Sequence, residues 1–182
     1  MWHILMITVG LCYGNFVEWF AHKNILHNKR LIKKTKLVAF HWSEHHKKCR
    51  QNGNFDDTIY LREIFALAAL GLLHLPIVLY SKVLYLTLVY CMLNYYFKHR
   101  YAHLNVKWGK DNLPWHFDHH MGPDQNKNWG VTRPWFDLLC GTRVYYLGTV
   151  LYHRKERLKN RFDRRRGEQN RANRNKQTNY KK

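Results

Sequence analysis

Three stretches of the chain are almost free of charge: residues 1–20 (MWHILMITVGLCYGNFVEWF), 64–80 (IFALAALGLLHLPIVLY) and 82–97 (KVLYLTLVYCMLNYYF). A helix rises ~1.5 Å per residue, so the first stretch is long enough to cross a hydrocarbon core ~30 Å thick. His3, Asn15 and Glu18 interrupt it, which predicts a helix that is tilted or packed against others. The other two are each slightly short for a crossing. Ser81 and Lys82 lie between them and Pro76 is placed to kink the first, so they predict a tight helical hairpin that spans or dips deeply.

Charge sets the orientation. The segment 23–50 carries Lys23, Lys29, Arg30, Lys33, Lys34, Lys36, Lys47, Lys48 and Arg50, against a single Lys at the hairpin turn. Basic loops stay cytoplasmic, which places 22–62 and everything after 98 in the cytosol. The N-terminus is then outside, with three crossings and a cytosolic C-terminus. A two-crossing protein with a monotopic first helix and a soluble helical bundle are the alternatives. Residues 1–20 lack the basic leader and small-residue cleavage site of a secretory signal, so a retained first span is expected.

At 182 residues the chain has room for one domain. Its mean hydropathy of −0.56 would suggest a soluble protein, but the average hides the segregation of apolar from charged segments. Much of the net charge of +19 sits at the end, where 154–182 hold thirteen Lys/Arg against three Asp/Glu. Residues 1–152 are therefore expected as a membrane-embedded domain and 153–182 as a basic, disordered tail whose nearest counter-charge is anionic lipid. Nucleic acid is the less favoured partner. Cys12, Cys49, Cys91 and Cys140 lie far apart, which excludes a zinc ribbon or an iron–sulfur framework and gives no sign of a disulfide scaffold.

Ten of the thirteen histidines fall into four tight groups. His22 and His27 lie in HKNILH, His41, His45 and His46 in HWSEHH, His99 and His103 in HRYAH, and His116, His119 and His120 in HFDHH. Residues at i, i+3 and i+4 share a helix face. His116, His119 and His120 can thus face one locus, as can His99 with His103 and His41 with His45, His46 being one step around. His22 and His27 are about 140° apart on an α-helix; that suits a helix end or a pair serving two adjacent metals. His3, His74 and His153 stand apart.

Every group falls at the cytosolic end of a predicted span, an arrangement that a solvated histidine-rich surface does not require. Four ligands satisfy a structural zinc, so ten imidazoles imply two metals. The predicted fold class is accordingly all-α, an integral-membrane helical bundle with a cytosolic histidine-rich di-metal cap. Imidazole suits zinc, copper, iron and nickel alike. Two redox metals beside a lipid pocket are what oxygen activation demands, which favours iron, with zinc able to occupy the sites in purified protein.

The order H-x4-H, H-x3-HH, apolar hairpin, H-x3-H, H-x2-HH resembles the fatty acid hydroxylase/sterol desaturase superfamily of membrane di-iron enzymes. Asn128-Trp129-Gly130 and Trp135-Phe136-Asp137-Leu138-Leu139-Cys140-Gly141-Thr142 look like its N-[YW]-G and W-x-D-x-x-[FY]-G-T segments. The resemblance covers about residues 15–143. The early HKNILH box is also similar to that of β-carotene hydroxylases. Cys140 replaces a common aromatic, and the spans are few.

The resemblance implies that the ten clustered histidines bind two irons, with no catalytic residue beyond these ligands. It further implies an O2-dependent hydroxylation of a lipid, a fatty acyl chain first, with a carotenoid or sterol and desaturation as alternatives. No flavin, NAD or haem fingerprint is present, so electrons are expected from a ferredoxin- or cytochrome b5-like donor. The membrane would be a bacterial inner membrane or the endoplasmic reticulum.

Glu18, Glu44 and Asp118 lie near histidines in sequence, where each could orient an imidazole. Asp137 is expected to anchor the Trp135–Thr142 turn, and Lys98 and Arg100 to snorkel at the interface. Two other function classes fit parts of the pattern. A metal-binding or transport protein would line a path across the bilayer with ligands, and a nucleic-acid-associated membrane protein would act through the tail.

Overall fold

The computed structural model describes residues 1–179, which are all-helical apart from turns and loops. Helix α1 (Trp2–Ala21) runs on through a π-helical turn, His22–Leu26. Together they make 25 residues, and this is the one helix among the described residues long and apolar enough to cross a membrane. The second apolar run is broken: α5 (Leu61–Leu73) stops at His74, and α6 (Ile77–Tyr80) follows a turn through Pro76. Neither piece reaches the ~20 residues of a crossing. Ser81 caps α7 (Lys82–Leu104), accepting a hydrogen bond from Leu84 N at 3.2 Å. The helix is long, but Asn94, Lys98, His99, Arg100 and His103 crowd its second half. Three expected spans are thus one full-length span and a broken hairpin, because Pro76 and the polar end of α7 divide the apolar runs.

Helices α1 and α7 lie in close contact through Gly10 and Gly14. A Cβ on either would come within 2.7 Å of Thr87 and Cys91 respectively, so only glycine admits this approach. Large apolar side chains on the outer faces remain exposed: Ile4, Phe16 and Phe20 on α1, Phe65 and Leu72 on α5, Leu86 and Phe97 on α7. Exposed apolar area this extensive needs a nonaqueous neighbour.

Short helices fill the other end. They are α2 (Lys29–Lys34), α3 (Lys36–Phe40), α4 (Lys47–Gln51), α8 (Val106–Asn112), α9 (Pro114–Met121) and α10 (Trp135–Leu139). A second π-helical turn, His41–His46, joins α3 to α4. Asn28 caps α2 through Arg30 N and Leu31 N, Asn105 caps α8 through Trp108 N, and α9 opens with Pro114 at its first position.

These elements belong to one compact unit, Met1–Tyr145; Tyr146–Lys182 form a second. The second unit carries α11 (Val150–Asn179), a helix where a disordered tail was expected. Its Arg, Lys, Glu and Gln residues are good helix formers, and its side chains from Arg157 to Arg171 are all exposed. Residues 180–182 of that tail lie outside the described residues.

Candidate metal centre

Two π turns deliver the first five histidines. In a π turn the backbone bond runs from i+5 to i, and His27 N donates to His22 O at 3.1 Å. Widening the helix brings i and i+5 onto one face. His22 and His27, far apart on an α-helix, therefore converge, and so do His41 and His46. His119 of α9 completes a group of five: His22, His27, His41, His46 and His119.

Ordinary α-helical spacing delivers the rest. His99 and His103 lie at i, i+4 on α7, and His116 and His120 at i, i+4 on α9. His45, His99, His103 and His120 form the second group, and His116 Nε2 lies 3.0 Å from His103 Nε2 at its edge. The adjacent pairs His45-His46 and His119-His120 each send one ring to either group. This corrects two expected groupings. His41 goes with His46 rather than His45, because the helix is π there, and His119 parts from His116 and His120. It also resolves the open reading of His22 and His27, which serve one group at a helix end.

None of the ten rings is more than 6% exposed. Burial, joined by the neighbouring imidazoles, pushes His41, His46, His116, His119 and His120 well below the ordinary histidine range and lowers His45. Burial brings His27 down to about 4. These rings are neutral at pH 7, the state that binds metal.

The nitrogens are arranged for a shared cation. His46 Nε2 is approached by Nε2 of His27 at 3.0 Å, His119 at 3.1 Å and His41 at 3.2 Å. One imidazole proton cannot bridge three such contacts. His22 Nε2 is 3.0 Å from His41 Nε2, and His45 and His99 Nε2 atoms are 3.2 Å apart. Both nitrogens of His120 are buried without a hydrogen-bond partner, though the ring sits within the second group. The donor set fits metal ions. Nitrogens held ~2.1 Å from one ion are ~3.0 Å apart at a right angle and ~3.4 Å apart at the tetrahedral angle. The observed spacings of 3.0–3.2 Å are those of nitrogens that share one ion.

The Nδ1 atoms fix the rings from behind. His22 Nδ1 donates to Trp129 O at 2.7 Å, His119 Nδ1 to Lys127 O at 2.7 Å, and His103 Nδ1 to Asn54 O at 2.9 Å. His45 Nδ1 donates to Asp56 at 3.0 Å and His99 Nδ1 to Glu63 at 2.9 Å. Each bond leaves Nε2 free of its proton. The Gln125 amide lies 2.8 Å from His46 Nδ1.

Asp56 and Glu63 are the acidic partners that sequence reasoning missed, since no spacing links them to His45 or His99. The acids singled out for proximity do other things. Glu18 accepts from the backbone N–H groups of Val131 and Thr132 and from the Thr132 hydroxyl; Glu44 pairs with Arg62, and Asp118 with Arg143. Burial pushes the Asp56 carboxyl up, but bonds from His45, Thr58 N and Tyr60 outweigh it and hold it well below the carboxylate range. Cys49 sits 3.4 Å from His103 Nδ1, and burial raises its thiol, keeping it protonated. His45, Cys49 and Asp56 stand together as a smaller group, in which Asp56 takes the Nδ1 proton of His45.

Asp137 anchors the whole loop, as expected. Fully buried, it accepts from Trp129 N, Gly130 N, Trp19 Nε1 and the Thr142 hydroxyl, all within 3.2 Å. A Cβ on Gly130 would lie 2.2 Å from Arg133 O, so the tight passage admits only glycine. Arg100, instead of snorkelling, donates to Thr58 O and Asp57 O and ties the Asp56 loop to α7.

A cavity of about 240 Å³ opens beside the histidines. His22, His41, His45 and His99, from both groups, form one end. Beyond them the wall is mostly apolar, with Val17 on α1, Leu67 and Leu70 on α5, and Leu88 and Met92 on α7, interrupted by Glu18 and Tyr95.

Ten buried histidines converging in two groups beside an apolar cavity make a helical protein whose site could hold metal ions. The chain is a member of the fatty acid hydroxylase family, whose model it matches over residues 7–142. That family comprises membrane-bound oxidoreductases acting on lipids. No match was found among the curated proteins or the solved structures.

Proposed function

We propose that this chain is a membrane di-iron oxygenase that hydroxylates a lipid, a fatty acyl chain first among the candidates. The observation that carries the reading is the convergence of three Nε2 atoms on His46 Nε2, beside a cavity walled by apolar side chains. His22, His27, His41, His46 and His119 would hold one ion; His45, His99, His103, His116 and His120 would hold the other. Iron is named over zinc because oxygen activation needs a redox metal and zinc has no redox chemistry. Bound iron would supply oxygen activation and electron transfer.

The reaction consumes a lipid C–H, O2, two electrons and two protons, and yields the alcohol and water. The protein's own part is positional. Apolar residues of α1, α5 and α7 hold the chain and exclude water; Asp56 and Glu63 keep the His45 and His99 rings in register. Electrons come from an external donor of ferredoxin or cytochrome b5 type, and the basic 23–50 segment suits an acidic partner. In the bilayer, α1 crosses and the broken α5–α7 hairpin dips deeply and returns, with the histidines on the cytosolic side and the tail against anionic headgroups. Residues 1–152 act as the membrane domain.

The test is expression in a lipid-producing host, with product lipids and protein-bound metal measured together. New hydroxylated lipids that require O2, from protein carrying iron, are the expected result. Tight zinc with no turnover under any reductant would contradict the reading.

A further inference from the structure

The cavity has a second polar end. Tyr13 and His74 line it, and the Tyr13 hydroxyl lies 3.1 Å from His74 Nε2. Three helices give its distance from the metal centre. Tyr13 precedes His22 by nine residues on the continuous first helix, about 14 Å of rise. Glu63, bonded to His99, precedes His74 by eleven residues along α5, about 17 Å. Leu88 precedes His99 by eleven on α7, again about 17 Å. The two polar ends are thus separated by roughly half of a ~30 Å hydrocarbon core, the depth of one leaflet. The side chains between are mostly apolar, with Glu18 and Tyr95 among them.

The protons of this pair are fixed by its partners. His74 Nδ1 lies 2.8 Å from Leu70 O, an acceptor only, so Nδ1 carries the hydrogen and Nε2 accepts from the Tyr13 hydroxyl. What remains is the Tyr13 oxygen, an acceptor with no donor among the described residues, at the edge of an apolar space. A ligand meeting it must donate. An ionised carboxylate cannot, and carrying its charge to this depth is costly. A methyl end leaves the acceptor unmatched.

We propose that Tyr13 and His74 form a second, metal-free subsite that accepts a hydrogen bond from a hydroxyl group of the lipid. Within the proposed function the substrate is then a lipid whose chain carries a free hydroxyl, rather than a free fatty acid, with that hydroxyl held about one leaflet's depth from the carbon that is oxidised. This rests on the cavity being the lipid site of the proposed function. The Tyr13–His74 pair sets which end of the lipid faces the histidines.

The test is equilibrium binding of dodecanol and of dodecane to the purified, metal-loaded chain in nanodiscs, for wild type, Tyr13→Phe and His74→Leu. Wild type should prefer the alcohol about five- to tenfold, the worth of one hydrogen bond. Both variants should bind dodecane as wild type does, keep their metal, and lose the preference for dodecanol. Equal binding of the two probes by wild type would overturn the subsite and leave the cavity standing, as would a preference that survives in both variants. Failure of both probes to bind would overturn the subsite and the lipid cavity together.

Discussion

The two histidine groups are assembled by different helices to the same end. The group around His46 takes two i, i+5 pairs from π turns, His22 with His27 and His41 with His46, and adds His119. The group around His45 takes two i, i+4 pairs from α-helices, His99 with His103 and His116 with His120, around His45 itself. Their supports differ as well. Backbone carbonyls of Trp129 and Lys127 hold His22 and His119, whereas the carboxylates of Asp56 and Glu63 hold His45 and His99. A carboxylate behind an imidazole makes the ring a stronger donor. Metal ions held by the two groups would therefore meet unequal donors, the stronger being His45 and His99.

The largest effect should come from breaking one group at a time. His119→Ala and His45→Ala each abolish lipid oxidation, and each lowers bound metal from two ions per chain to about one. Loss of both ions in either variant would mean that the two groups act as one site. His103→Ala should behave as His45→Ala does. Next in size are the supports. Asp56→Asn and Glu63→Gln should weaken one metal about 10- to 100-fold and leave the other, seen as a biphasic chelator titration where wild type releases its ions more evenly.

Acid comes third. Burial depresses His27 to about 4 from an ordinary value near 6.5, and lowers His41, His46, His119 and His120 in the same direction. Between those values the unfolded chain binds more protons than the folded one, so stability rises with pH there. The metal-free protein should therefore lose melting temperature as pH falls from about 6.5 toward 4, and a flat profile across that window would contradict the burial of neutral rings. The smallest effect on metal is expected at the histidines outside both groups. His74→Ala and His153→Ala should keep full metal content.

That ten histidines come together was legible in the sequence, and how they divide was not. Clustering alone picked out the ten histidines that the structure buries together. The division between groups depends on two π turns, which have no sequence period of their own; α-helical spacing assigned His41 to His45 and kept His119 with His116. Asp137 was legible as the anchor of its turn because Trp129, Gly130 and Thr142 lie within eight residues of it, whereas Trp19 reaches it from 118 residues away. Asp56 and Glu63 were invisible for the opposite reason, reaching His45 and His99 from 11 and 36 residues away across the fold. The broken second span was half legible: Pro76 marked the break, but the helix on either side gave no sign of how short it would be.

Metal content of the detergent-purified chain, counted per polypeptide beside its iron spectrum, tests the centre most directly. Two ions per chain, with iron supporting O2-dependent oxidation of lipid, is the predicted result. One ion per chain, or none under conditions where the protein is folded and iron is supplied, would contradict it.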